Sequence, residues 1–194
     1  MTSEIKGLSL LNYSVVLAEA RGQVLADQVI TRLPSDLQHA LSYGEVVASS
    51  WYPIGWKCAM HAAAHAVTRE DRLAYEMGRA ATLRDLRGVY RMFVKIATPR
   101  YILSIAGRLL ARYLRPCELY IVESDVDYVR VGFRHCHGFT AQMWLDVLGG
   151  CHAALELAGA RNVRLVVETG AGDGDSEATG VARWQVGAGK TLRP

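Results

Sequence analysis

No block of like charge interrupts this chain. Its 22 Lys and Arg are scattered among 19 Asp and Glu, for a formal charge of +3 over 194 residues. So small and dispersed an excess leaves no electrostatic footprint for nucleic acid. The N-terminus lacks a basic segment followed by an unbroken apolar run and a small-residue cleavage site. Glu4, Lys6, Asn12 and Glu19 are spread through it instead, so no secretory signal is read. Long uncharged runs are missing too. The stretch 101–114 carries Arg108 and Arg112, and 139–160 carries Asp146, His152 and Glu156, so neither reads as a membrane span. A soluble, cytoplasmic protein is expected. Cysteine is scarce: Cys58, Cys117, Cys136 and Cys151 fall in different predicted elements and form no CxxC pair. In a reducing compartment they are expected to stay thiols.

What is present suits one core. At 51% hydrophobic and 21% charged, 194 residues are enough for a single sizeable domain and short for two. Helical periodicity runs over 8–20, stopping at Arg21-Gly22, and over 24–33, stopping at Pro34. A short helix at 36–41 is expected with Ser35 as its cap, and another opens at Trp51-Tyr52-Pro53, where proline sacrifices only an amide that has no partner. Further helices are read over 69–86, 89–96 and 100–113. After Pro116 the period becomes two: CELYIVESD and DYVRVGFRH form a hairpin turning at 124–127. A long helix follows at 139–158, then strands at 163–168 and 181–186 joined by the polar turn GAGDGDSEATG. The expected fold class is α+β, a helical N-terminal half (7–114) packed on a C-terminal antiparallel β-β-α-β-β sheet (115–187), with a flexible tail at 188–194.

Several stretches carry a family resemblance. IKGLSLLNYSVVLAEARG is similar to the opening of heme NO-binding domains, and VRLVVETGAGDGDSEATGVARW resembles 4-vinyl reductase-like domains of the same superfamily. SSWYPIGW, GRAATLRDLRGVYRMF and PRYILSIAGRLLARYL resemble a family of uncharacterised myxobacterial proteins of this length. The resemblance spans about 7–184. It implies the fold, a tendency to form homodimers, and a cavity between helices and sheet that relatives use for heme, aromatic effectors or acyl chains. In heme NO-binding domains the axial histidine lies on the helix before the hairpin, and a Tyr-x-Ser-x-Arg motif holds the propionates. Here the helix 100–113 has no histidine, and YVRVGFR, from Tyr128 to Arg134, lacks the serine spacing. At the zinc spacing of the 4-vinyl reductase-like sensors stand Glu168, Ala171 and Thr179, of which only the carboxylate is a ligand.

Against that background we weigh the chemistry-bearing residues. In KCAMHAAAHAV, Cys58, His61 and His65 fall opposite the stripe Trp56, Met60, Ala63 and Val67. They are an alternative metal or heme ligand set; the preferred reading is a solvated or interfacial polar face, with Ile54 on it hinting at an interface. His135 and His137 flank Cys136 at a strand end, with no third donor at short range. Cys151 belongs to an apolar helix stripe and behaves as a small hydrophobe. Gly149 and Gly150 inside a helix each cost about 1 kcal/mol against alanine, so something approaches that helix closely: sheet, helix or ligand. An apolar ligand pocket is expected along Trp51, Trp56 and Met60 with Phe93 and Tyr101.

The sequence therefore reads as a non-enzymatic module without a cofactor, binding a small apolar ligand or a protein partner and pairing as a homodimer. The alternatives are a heme or metal sensor with atypical His and Cys ligands, and an enzyme whose catalytic groups the sequence does not name.

Overall fold

In a computed structural model the described residues are 2–88 and 98–186. The expected helix at 89–96 lies outside them, as does the tail. The helical half begins with strand β1 (Glu4–Lys6), helix α1 (Gly7–Arg21), α2 (Gln23–Ile30) and α3 (Ser35–Ser42). Leu10, Tyr13 and Leu17 of α1 are buried at the three- and four-residue spacing of one helix face. Gly22, at φ +89°, ends the helix in a conformation that glycine adopts without a Cβ clash. Ser35 is the first residue of α3 rather than its cap, and no side chain caps that helix.

Strand β2 (Trp51–Pro53) precedes α4 (Ile54–Thr68) and α5 (Leu73–Gly88). Proline thus closes a strand here, immediately before the helix, instead of occupying its first turn. Helix α6 (Pro99–Leu110) starts on Thr98, whose hydroxyl accepts from the Tyr101 amide at 3.2 Å. Strand β3 (Leu114–Arg115) then pairs with β1, which also pairs with β2, giving a small antiparallel sheet that gathers the ends of the helices.

The C-terminal half is β4 (Glu118–Ser124), β5 (Tyr128–Arg134), α7 (Ala141–Leu157), β6 (Ala160–Gly170) and β7 (Ala178–Val186), the β-β-α-β-β order read from the sequence. Its sheet is antiparallel throughout, in the order β4-β5-β7-β6. The loop between β6 and β7 folds back on the start of α7: Asp173 Oδ1 accepts from the Ala141 amide at 2.8 Å, while Thr140 caps from within at 3.3 Å. Asp173 thus caps the helix, and Asp175 Oδ2 accepts from the Gly172 amide at 2.8 Å within the turn. No described helix is long and apolar enough to cross a membrane.

One cysteine expectation is corrected. Cys117 and Cys136 are joined as a disulfide with their Cα atoms 4.5 Å apart, whereas Cys58 and Cys151 are free thiols. The β4–β5 hairpin is the cause: pairing Glu118 with Arg134 brings the two flanking cysteines together, a proximity that sequence separation conceals.

Candidate functional site

Helices α5 and α7 cross with their backbones in contact. A Cβ on Gly149 would fall on the Tyr75 carbonyl oxygen and 2.9 Å from the Arg79 amide, and one on Gly78 would fall on the Asp146 carbonyl oxygen. The close neighbour foreseen for Gly149 is therefore α5. Arg79 clamps the same crossing through Glu156 at 2.6 Å, and Tyr75 bonds His152.

Beside this crossing a cavity of ≈ 200 Å³ opens between the helical half and the sheet. Helix α6 turns Ile102, Leu103, Ala106, Leu109 and Leu110 to it, a three- and four-residue spacing that puts all five on one face. Ile5, Leu86, Val129, Val131, Phe133, Met143 and Val147 complete much of the apolar wall, and the buried Trp144 packs its ring against Phe139 and Phe133 at 4.8 and 5.7 Å.

Polar groups enter that wall mainly where α1, α4, α5 and α7 meet. Lys57 is 1% exposed; its Nζ lies 3.5 Å from Asp146 Oδ1, 3.4 Å from the Ser9 carbonyl oxygen and 4.4 Å from the centre of the Tyr13 ring. His61 Nε2 approaches the same Asp146 oxygen at 3.4 Å, and its ring meets Tyr13 edge-on at 4.9 Å. Asp85, on the same wall, accepts from Asn12 and Tyr113. This cluster is incompletely satisfied. Asp146 Oδ1, both His61 ring nitrogens, the Tyr13 hydroxyl and Trp144 Nε1 are buried with no hydrogen-bond partner among the described residues. Burial lowers the Lys57 pKa against the pull of the Asp146 charge, and raises that of Asp146 against the pull of Lys57. Both groups are thus pushed toward their neutral forms.

The polar face expected of α4 is corrected by this geometry. Ile54, Lys57, Met60, His61, Ala63 and Ala64 are its buried residues, so Met60 and Ala63 of the expected core stripe are joined by Lys57 and His61, because α1, α2 and α7 cover sides that the sequence pattern left to solvent. Cys58 instead donates toward the Gly138 carbonyl oxygen at 3.6 Å, and His65 pairs with Asp71 at 3.1 Å, so Cys58, His61 and His65 face three different neighbourhoods. Nor do the expected pocket aromatics converge. Trp51 lies beneath Lys6 and Arg115 (4.1 and 4.3 Å), Trp56 stacks on Tyr52 at 5.0 Å, Met60 sits in the main core and Tyr101 is 45% exposed. None of these four lines the cavity, and Phe93 lies outside the described residues.

Sequence reasoning passed over Lys57 and Asp146. The available signal was a lysine in the helix frame of Ile54, Met60 and Ala64, and an aspartate one residue from Val147 in an apolar helix.

Two results follow for these side chains. Trp56, half-buried and bonded through Nε1 to Asp36 at 3.1 Å, is expected to cost about 1–2 kcal/mol on truncation to alanine. That is below the about 3–5 kcal/mol of a fully buried tryptophan, and ligand uptake by the cavity should be unchanged. Urea unfolding and a binding titration check both. His61 is held neutral, well below the usual imidazole pKa, by burial and then by the Lys57 charge. In the unfolded chain a histidine titrates at about 6.5, so below that pH the unfolded state takes up the proton that the folded state refuses. Stability from this group is present above the unfolded pKa and is lost on acidification, approaching about 1.4 kcal/mol at pH 5.5. The carboxyl of Asp146 acts in the opposite sense, so the comparison of wild type with His61→Gln isolates the histidine. An equal acid loss in both would contradict the assignment.

No known family's sequence pattern matches the chain, and no curated protein sequence does either. Solved structures do match. An Fe(II) unliganded H-NOX protein from K. algicida aligns with a TM-score of 0.71 at 11% identity, over 96% of this chain and 100% of that one. A point mutant of that protein gives 0.72 at 13%, over 95% and 98%. The chain has the H-NOX fold. An oxygen-binding H-NOX domain related to soluble guanylate cyclases, in its oxygen complex, aligns at 0.67 and 10% identity over 98% of this chain and 100% of that one. These neighbours correct the expectation of a chain without a cofactor. The structures that share its H-NOX fold include Fe(II) and oxygen-complexed proteins, and one concerned with heme redox potential and porphyrin distortion.

Proposed function

We propose that this chain is a ligand-binding sensor module whose ligand occupies the cavity between the helices and the sheet. The observation that carries the reading is the cavity itself: a largely apolar wall with a few polar groups gathered where four helices meet, the composition of a small-molecule site. Heme is the first occupant to test, because the H-NOX neighbours include heme-iron proteins. The apolar wall suits a flat macrocycle. The donors on it are the Cys151 thiol, the Met143 thioether and the Tyr113 phenol, side-chain types that hold heme iron elsewhere. Bound heme would supply an iron centre for a diatomic gas; the chain's own residues would supply an apolar enclosure and one of these donors. Cys151 is a thiol that burial pushes up to about 11, so it would have to lose its proton to serve.

A second reading is an apolar organic ligand without iron. It is favoured by the absence of histidine from the sequence between His65 and His135, and by the lack of arginine among the described lining residues.

Titration of the purified protein with hemin separates the two. Stoichiometric uptake with a sharp Soret band, shifted in Cys151→Ser, is the result expected of heme held through the thiolate. Uptake insensitive to Cys151, Met143 and Tyr113 substitutions would remove that ligand set. No uptake, with saturable binding of the neutral dye Nile red, would leave the organic ligand. If neither hemin nor Nile red binds, the cavity is no ligand site.

A further inference from the structure

We infer that Lys57 is a covalent attachment point, forming a reversible imine with an apolar aldehyde held in the cavity. The inference rests on the second reading of the cavity, an apolar organic ligand without iron, and assigns that ligand a chemical class. Lys57 is the one lysine among the described lining residues, on a wall otherwise made largely of Leu, Ile, Val, Ala, Phe and Met. Its Nζ is held by long contacts: Asp146 and Ser9 lie at 3.5 and 3.4 Å, longer than is usual for hydrogen bonds of an ammonium, and the Tyr13 ring centre at 4.4 Å. Two carboxylates, Asp146 and Asp85, share that wall, which disfavours an anionic ligand there. A neutral carbonyl compound with an apolar body meets both requirements, its chain lying along α6 and its carbonyl reaching the amine.

The chemistry balances with the groups present. Lys57 gives its ammonium proton to the Asp146 carboxylate, and the freed amine adds to the carbonyl carbon: the C–N bond of a carbinolamine forms as the C=O π bond opens and an amine proton passes to the oxygen. The carbinolamine hydroxyl then leaves as water, taking a proton from the carboxyl of Asp146. The product is a protonated imine whose charge faces the Asp146 carboxylate, and the sum is aldehyde plus amine giving imine plus water. No oxidant or reductant takes part. Burial favours the unprotonated amine that the first step needs, and Asp146 Oδ1, 3.5 Å from Nζ, is placed to receive the new cation.

The sequence has four lysines, Lys6, Lys57, Lys95 and Lys190, so the site of attachment can be read directly. The protein is incubated with cinnamaldehyde, trapped with sodium cyanoborohydride, and mapped by peptide mass spectrometry. Saturable modification of Lys57, at least about tenfold faster than at Lys6 because the aldehyde is held beside the amine, is the expected result. Glyceraldehyde, which has no apolar body, should show no such preference. Lys57→Arg should abolish the fast phase. Because the mapping is done on the wild-type protein, it does not depend on a variant folding. Lys57 left unmodified, or modified no faster than Lys6, overturns the imine. If Nile red or hemin binds in that case, the cavity reading survives; if nothing enters, both fall.

Discussion

Gly149→Val is expected to lower stability by at least about 3 kcal/mol, at or beyond the upper end of overpacking substitutions. The added carbon falls on the backbone of α5, at the Tyr75 carbonyl oxygen and 2.9 Å from the Arg79 amide. Neither atom belongs to a rotamer that can turn aside, so the whole α5–α7 crossing must separate. Gly150 is the internal comparison. Its Cβ would meet the Thr82 Oγ1 at 2.9 Å, the end of a side chain that can rotate, and alanine gains about 1 kcal/mol of helix propensity over glycine. Gly150→Ala should therefore be close to neutral. Urea denaturation of the two variants side by side gives the answer, and a Gly149→Val protein within about 1 kcal/mol of wild type would mean that the crossing is looser than the structure has it.

The second large effect belongs to Asp146. Removing its carboxylate leaves Lys57, 1% exposed, without its nearby counter-charge, and Asp146→Ala is expected to cost about 3–5 kcal/mol, the usual consequence of breaking one side of a buried pair. Replacing both partners, as in Lys57→Met with Asp146→Leu, should recover a good part of that loss, since two apolar side chains need no partner. A single variant costing under about 1 kcal/mol would show that Lys57 already gives up its proton in the wild-type fold with little loss. The two predictions are linked through the backbone. Gly78 lets α5 approach the Asp146 carbonyl, so the glycine crossing also fixes where that carboxylate stands relative to Lys57 and His61.

Most elements were legible because their periods are local. The change from a helical repeat to a repeat of two after Pro116 marks the start of the β-β-α-β-β half, and Gly22 marks the end of α1. The small sheet was not legible: β1, β2 and β3 have three, three and two residues, too few to show a period. The lining of the cavity was not legible for a related reason. A stripe of Trp51, Trp56 and Met60 marks residues that avoid water, but not whether they meet core, surface cation or ligand space.

By itself, then, the sequence determined the type and order of the longer elements, the fold class, and the need for a close neighbour at Gly149. Tertiary structure alone decided that this neighbour is α5, that Cys117 and Cys136 bond, that His61 is buried, and that Lys57 and Asp146 share the wall of the cavity. The reason is physical. Periodicity fixes which side chains share a face of one element, whereas burial, charge pairing and cavity shape depend on what other elements bring to that face, from positions far away along the chain.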